Sequence, residues 1–371
     1  MIVGLDASNL RSGGAITHAV AFLNECEKSD KNKYIVWGSK KTLKKVKNAE
    51  FIEKIYLEFA DKNLFYRFFF QTFLLSTEAK KKSCDVLFIP GGTFLGRFKP
   101  FVTMCRNMLP FEKIERDRYI FSLRYFKLHL LKIIQLVTFK RSDGIIFLTN
   151  FAKQNIERII PSIDRKSIII PHGVNPEYFI SINNKNYKNK NYTFRCVYTS
   201  TIDHYKHQDK IIRAIKNLND KGIKLKIDII GSQYDPALRK FLKVKKEIDP
   251  ENKIIQYRGP LDIKSIKKIY SLADFLIFAS SCENLPNILL EKMATGLPIA
   301  CSKKRPMIDI LGKNGVYFDY NSISDIETCI KKIINSLKER KNISMDSRRI
   351  AKTYTWEKSK KKTIRFIKEF V

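Results

Sequence analysis

"CENLPNILLEKMATG" occupies residues 282–296, between the apolar runs "ADFLIFAS" (273–280) and "LPIACS" (297–302). Short apolar runs bounded by turn residues read as strands of a parallel sheet covered on both faces. The stretch between them is then a strand-to-helix turn followed by a crossover helix. Residues 281–286 are expected as loop. The helix is expected to begin near Pro286 or Asn287, because proline is tolerated in a first turn. Gly296 ends it, with Pro298 just beyond. Glu283 falls in the loop and Glu291 about a turn into the helix. Loop residues Glu283, Asn284, Leu285, Pro286 and Asn287 lead into a helix N-terminus, whose N–H groups and positive dipole end suit a phosphate. A carboxylate accepts paired hydrogen bonds from vicinal hydroxyls, as in ribose recognition. Both glutamates could therefore touch one extended ligand, although Glu291–Lys292 also fits a solvated helix edge.

The same rhythm extends outward in both directions. "MIVGLDA", "KYIVWGS", "CDVLFIPGG", "FVTMCRN", "DGIIFLT" and "SIIIPHG" read as strands, and residues 111–141 mainly as helix. After the polar segment "SINNKNYKNKNY" (181–192) the alternation restarts with "FRCVYTS" and runs to the quoted stretch. Alternating strands and helices imply parallel sheets, and 371 residues exceed what one core usually supports. The expectation is α/β, with two doubly wound Rossmann-like domains facing a cleft, 1–178 and 194–355, joined by a linker at 179–193. One large domain with a polar insert is the alternative.

Composition narrows the function classes. The net charge of +33 suits anionic membrane, nucleic acid or acidic small molecules, or reflects a Lys/Asn/Ile-rich bias. No nucleic-acid-binding module is recognisable, so no nucleic-acid partner is expected. Seven scattered cysteines without a Cys-x-x-Cys pair argue for a reducing compartment and against a disulfide framework or zinc site. "MIVGLDASNL" has no basic leader, so no signal peptide is expected there. "LFYRFFFQTFLL" (64–75) is too short and too polar to span a bilayer. A cytoplasmic protein is the expectation.

The quoted stretch, with its proline, its Ile288, Leu289, Leu290 and Met293 helix and its A-x-G-x-P close, resembles the Glu-x7-Glu signature of retaining glycosyltransferases in the family 4-like group, which have the GT-B fold. "IIPHGVNPEYF" (169–179), "CVYTSTIDHYKHQDKIIRAI" (196–215), "GVYFDYNSISDI" (315–326) and "YTWEKS" (354–359) are further similarities. The resemblance implies that the last helix, 356–371, returns to the first domain. It implies that Glu283 lies near the transferred sugar, that Glu291 hydrogen-bonds the ribose, and that Lys206 neutralises the donor diphosphate, with no metal or other cofactor required. Thr201 stands where many relatives carry an arginine; Arg239 or Arg258 could substitute, or Lys206 and backbone N–H groups could act alone. In the first domain Gly13 and Gly14 open a helix after the first strand and allow close approach of a phosphate or sugar. Arg106 and Asn107 occupy the place of a His-Asp pair, so Arg106 is expected to hold an anionic acceptor or to serve a structural ion pair. His172 stands near the hinge, where it touches sugar or is simply packed; His18 is as readily packed as catalytic.

Residues 64–82 and 113–141 mix aromatics with Lys and Arg on helical segments, which suits peripheral contact with an anionic membrane on the inner face of the plasma membrane, or a buried helix face. The leading reading is transfer of a hexose from a UDP- or GDP-linked sugar to a growing, lipid-linked surface glycan, in polysaccharide or lipopolysaccharide synthesis. The alternatives are a degenerate, non-catalytic assembly partner and a nucleotide-sugar epimerase, the latter opposed by the lack of a histidine cluster.

Overall fold

A computed structural model describes residues 1–10, 14–58, 64–181 and 192–371 of the chain. It divides into two compact units, Met1–Gly173 with Tyr354–Val371, and Val174–Thr353. The first holds seven strands: β1 (Ile2–Ala7), β2 (Lys33–Gly38), β3 (Ile52–Tyr56), β4 (Val86–Ile89), β5 (Phe101–Cys105), β6 (Gly144–Phe147) and β7 (Ser167–Ile169). Their order is β3-β2-β1-β4-β5-β6-β7, all parallel. The second holds β8 (Phe194–Thr199), β9 (Leu225–Ile230), β10 (Ile255–Tyr257), β11 (Phe275–Phe278), β12 (Ile299–Ser302) and β13 (Val316–Phe318). Their order is β10-β9-β8-β11-β12-β13, again parallel. The chain is thus α/β with two doubly wound sheets, as the alternation of apolar runs implies.

The apolar runs become strands because helices cover both faces of each sheet: every residue of β4, β5, β6, β11 and β12 is buried. In the second unit the helix Gln208–Asp220 turns Ile211, Ile212, Ile215 and Leu218 onto the sheet, spacing that follows the helical period. The helix Ile323–Asn335 contributes Ile326, Ile330 and Ile333 to the same core. Each such side chain is worth roughly 1.5–3 kcal/mol on burial.

The boundaries differ a little from those expected at 178 and 355. Residues 174–178 go with the second unit, where Tyr178 packs against Tyr270 with ring centroids 6.4 Å apart. Tyr354 and the helix Trp356–Lys368 go with the first. Most of the expected linker at 179–193 lies outside the described residues. Within the first unit the ring of Trp356 sits 5.5 Å from both His18 and His172, edge-on to one and stacked on the other.

Among the described residues no helix is long and apolar enough to cross a membrane. The segment at 64–81 is helical with a π turn at Phe70–Leu74, which turns Phe70 and Gln71 inward and leaves Phe69 and Phe73 exposed.

Candidate active site

The strand order of the second sheet reverses between β8 and β11, so the turns that follow these strands diverge from one point, where doubly wound sheets hold their ligands. After β8 the chain makes a 3-10 turn at His204–Lys206, capped by the Asp203 carboxylate, and a left-handed residue at His207 before the next helix. After β11 come Ser280–Pro286 and the helix Asn287–Thr295, which no side chain caps at its start and which Gly296 closes with φ +75°. The two turns are tied together. Ser281 N donates to Tyr205 O at 2.9 Å, and His207 Nε2 lies 2.9 Å from Ser281 Oγ. The Tyr198 hydroxyl donates to Lys206 O at 2.6 Å. With both backbones fixed, Lys206 Nζ pairs with the Glu283 carboxylate, the two side chains only 9% and 15% exposed. Asn284, Leu285 and Pro286 are buried behind them, and Asn287 is half-buried.

Glu291 lies on the adjoining helix and accepts a hydrogen bond from the Tyr178 hydroxyl. It lines a cavity of about 230 Å³ together with Tyr178, Thr199, Thr201, Gly231 and Ser232. Burial pushes its carboxyl up to about 7, against the Tyr178 hydrogen bond and the Lys292 charge. Thr201 Oγ1 and Ser232 Oγ are 3.2 Å apart, bringing together the turns after β8 and β9. Gly231 has φ +151°, and a Cβ there would stand 2.1 Å from Ser200 O, so only glycine lets these turns close. Arg258 is engaged by Asp228 at 2.5 Å and Arg239 is exposed on the helix Asp235–Ile248. Neither lines the cavity beside Thr201.

Sequence reasoning missed Tyr178, Gly231 and Ser232. They come from two separate connections: Tyr178 lies within the quoted segment 169–179 but carries no chemical signal there, and Gly231 and Ser232 follow β9 without a motif.

In the first unit, Gly13 lies outside the described residues and Gly14 opens the helix Gly14–Glu25. The Arg106 guanidinium donates to the carbonyls of Gly14 and Ala15, the latter at 3.2 Å. It therefore clamps the start of that helix, and burial lowers its pKa to about 10. Asn107 is exposed and accepts from Leu109 N at 3.0 Å. His172 is 1% exposed, its Nδ1 3.0 Å from Gly173 O. His18 is 1% exposed as well, and both imidazoles pack against Trp356.

Burial, then Arg106 and His172, hold the His18 pKa well below its usual value. A depressed histidine contributes stability above its unfolded pKa of about 6.5 and loses it as pH falls below that value. His18→Leu is therefore expected to narrow the gap in melting temperature between about pH 7.5 and about pH 5. An unchanged gap would remove His18 from the acid response.

Residues 180–350, just under half of the chain, match the family described as glycosyl transferases group 1. The chain is 25% identical over 219 residues to an uncharacterized glycosyltransferase of Methanocaldococcus jannaschii, a match over 58% of this chain and 57% of that one. It thus spans just over half of that relative's length. Among solved structures, Anabaena HepE in complex with UDP-glucose matches with a TM-score of 0.75 and 13% identity over 99% of both chains. WaaG, a glycosyltransferase involved in lipopolysaccharide biosynthesis, matches at 0.71 and 14%, again over 99% of each. Both share the fold with this chain, which is GT-B.

Proposed function

We propose that the protein is a retaining glycosyltransferase that moves a hexose from a UDP- or GDP-linked donor to a growing, lipid-linked surface glycan, in polysaccharide or lipopolysaccharide synthesis. The observation that carries this reading is the Lys206–Glu283 pair beside the cavity holding Glu291 and Tyr178. In a nucleotide sugar the bond to be broken joins a hydroxylated ring to a phosphate. A site built for it needs a hydroxyl-accepting carboxylate and a phosphate-binding cation within reach of each other, and a ribose acceptor at the far end of the diphosphate. Glu283, Lys206 and Glu291 supply these in that order.

The anomeric carbon–phosphate oxygen bond breaks as the acceptor oxygen bonds to the same face, and the departing phosphate oxygen takes the acceptor proton. Lys206 stabilises the charge that builds on the diphosphate, and Glu283 orients the sugar. A fixed ammonium in that role leaves a metal unnecessary. The first unit takes the acceptor.

The test is incubation with UDP- and GDP-hexoses and a lipid-linked acceptor extract, following diphosphate release and the anomeric configuration of the product. Retention, undiminished by EDTA, is expected. An inverted product or a requirement for divalent cation overturns the mechanism. Nucleotide binding without turnover favours the assembly-partner reading, and donor conversion without acceptor favours the epimerase.

The lipid-linked acceptor rests on a helix of the first unit that leaves an apolar face bare. On Leu123–Arg141, Leu123, Phe126, Leu130, Ile133 and Val137 follow the spacing of one helical face yet are exposed, whereas Leu128, Gln135, Thr138 and Phe139 are buried on the other. Phe121, 96% exposed, precedes them, and Lys127 and Lys140 stand exposed on the same helix. Phe65, Tyr66, Phe69 and Phe73 are exposed on the segment 64–74. Apolar side chains with flanking cations suit the anionic inner face of the plasma membrane. Phe126→Ser with Leu130→Ser is expected to release the protein from anionic vesicles, with the melting temperature unchanged. Equal sedimentation with neutral vesicles would remove the charge from the argument.

A further inference from the structure

Lys292 is the least expected residue of the second unit: its side chain is wholly buried, at 0% exposure. Its ammonium donates to Ile277 O at 2.7 Å and to Thr199 O at 3.1 Å. These carbonyls lie toward the ends of β11 and β8, beyond Leu276 and Val197, where the pairing of the two strands stops. The amine therefore occupies the opening where the strands part at the switch point. It also stands 5.1 Å from the centroid of the Tyr198 ring and 5.3 Å from that of Phe278. Lys206 Nζ is 5.7 Å from the same Phe278 centroid. One ring thus carries both lysines, one in the site and one beneath it.

Burying an ammonium is expensive, and a hydrophobic side chain of similar volume would fill this space without that cost. The cost makes sense if the charge acts on something. Thr201, where a second phosphate-binding cation is expected, is neutral, and neither Arg239 nor Arg258 lines the cavity in its place. Thr199, whose carbonyl holds Lys292, lines the same cavity as Thr201 and Glu291. A charge acting through a water-excluded interior is screened far less than one at the surface.

Resting on the glycosyltransferase reading, we propose that Lys292 is a positioning residue for the donor diphosphate, supplying from beneath the switch point the second positive charge that Thr201 does not. It does not touch the ligand; it acts through the field it sets at the turns after β8 and β11. Burial and the neighbouring Lys206 hold its pKa well below the usual lysine value, against Cys301, Glu291 and Glu283, which favour the charge. A diphosphate seated above adds to the second group.

The experiment compares binding of UDP, GDP and ADP, and of the corresponding monophosphates, by calorimetry. It uses the native protein, Lys292→Gln, which keeps donors for the two carbonyls, Lys292→Met, Thr201→Arg, and Thr201→Arg combined with each Lys292 substitution. The two Lys292 variants are expected to lose roughly tenfold or more in affinity for the preferred diphosphate and less than about threefold for its monophosphate. Adding Thr201→Arg is expected to restore diphosphate binding, which a purely structural staple would not allow. Equal losses for diphosphate and monophosphate, without rescue, overturn the proposal. An independent arm needs no change at Lys292: Thr201→Arg alone is expected to gain less than about threefold, because two cations already serve the site. A gain of tenfold or more would show that the site lacks its second cation, and overturns the proposal even if neither Lys292 variant folds. Native protein that binds none of the three diphosphates overturns the donor site itself, and with it this role.

Discussion

Lys206→Ala is expected to lower the rate of sugar transfer by roughly 10²–10³, the usual effect of removing one fixed group that meets charge developing in a transition state. Departure of a nucleoside diphosphate is the step that builds that charge. The substitution has a second consequence, because it leaves the Glu283 carboxylate, 15% exposed, without its partner. Breaking a buried pair from one side typically costs about 3–5 kcal/mol. Adding Glu283→Gln removes the orphaned charge, so the double variant should regain much of the lost stability and none of the lost activity. Stability and turnover, measured on both variants, then separate the two roles of the pair. Recovery of turnover in the double variant would mean that Lys206 only neutralises Glu283, and would exclude it from the chemistry.

Glu291→Gln is expected to move stability and nucleotide affinity in opposite directions. Burial raises the Glu291 carboxyl from about 4.5 to about 7, so the folded protein keeps its proton to higher pH than the unfolded chain does. Stability from this group is complete below about pH 4.5 and is lost as pH rises through about 7. That difference is worth about 3 kcal/mol. Above pH 7 the glutamine variant, which never ionises, should therefore melt at a higher temperature than the native protein. Its affinity for the donor nucleotide should fall roughly 10–100-fold, since a charged acceptor of the ribose hydroxyls is replaced by a neutral one. Melting curves at about pH 8 and a nucleotide titration make the comparison. Higher stability with unchanged affinity would reduce Glu291 to a strained core residue. Residues that destabilise a fold while serving a ligand are expected at functional sites.

Much of this was legible because punctuation is local. Pro286 and Gly296 fix the helix Asn287–Thr295 to within a residue, since a fixed φ opens a first turn and a left-handed residue closes a last one. The apolar runs of β11 and β12 are buried on both faces, as their lack of polar alternation implies. The pairing of Lys206 with Glu283 was half legible: both residues stand out by motif, but their contact depends on Ser281 and His207 tying two distant turns together.

Other features could not be read from the chain because they concern what a side chain faces. The period of Leu123, Phe126, Leu130, Ile133 and Val137 defines a helix face, yet period alone cannot tell a core face from a bare one. Arg106 stands out in the sequence as a cation in the place of a His-Asp pair, but its acceptors are backbone carbonyls of Gly14 and Ala15, which carry no sequence signal. Tyr178 reaches Glu291 across the boundary that the linker suggests.

The sequence by itself determined the two parallel sheets, the turn that holds Glu283 and the helix that carries Glu291, because periodicity, proline and glycine act over a few residues. Only the tertiary structure decided that Lys292, which the chain presents as a plausible solvated edge beside Glu291, is the most deeply buried charge-bearing group of the site. Its position depends on where β8 and β11 separate, and the divergence of two strands far apart in the chain is set by the packing of the whole sheet.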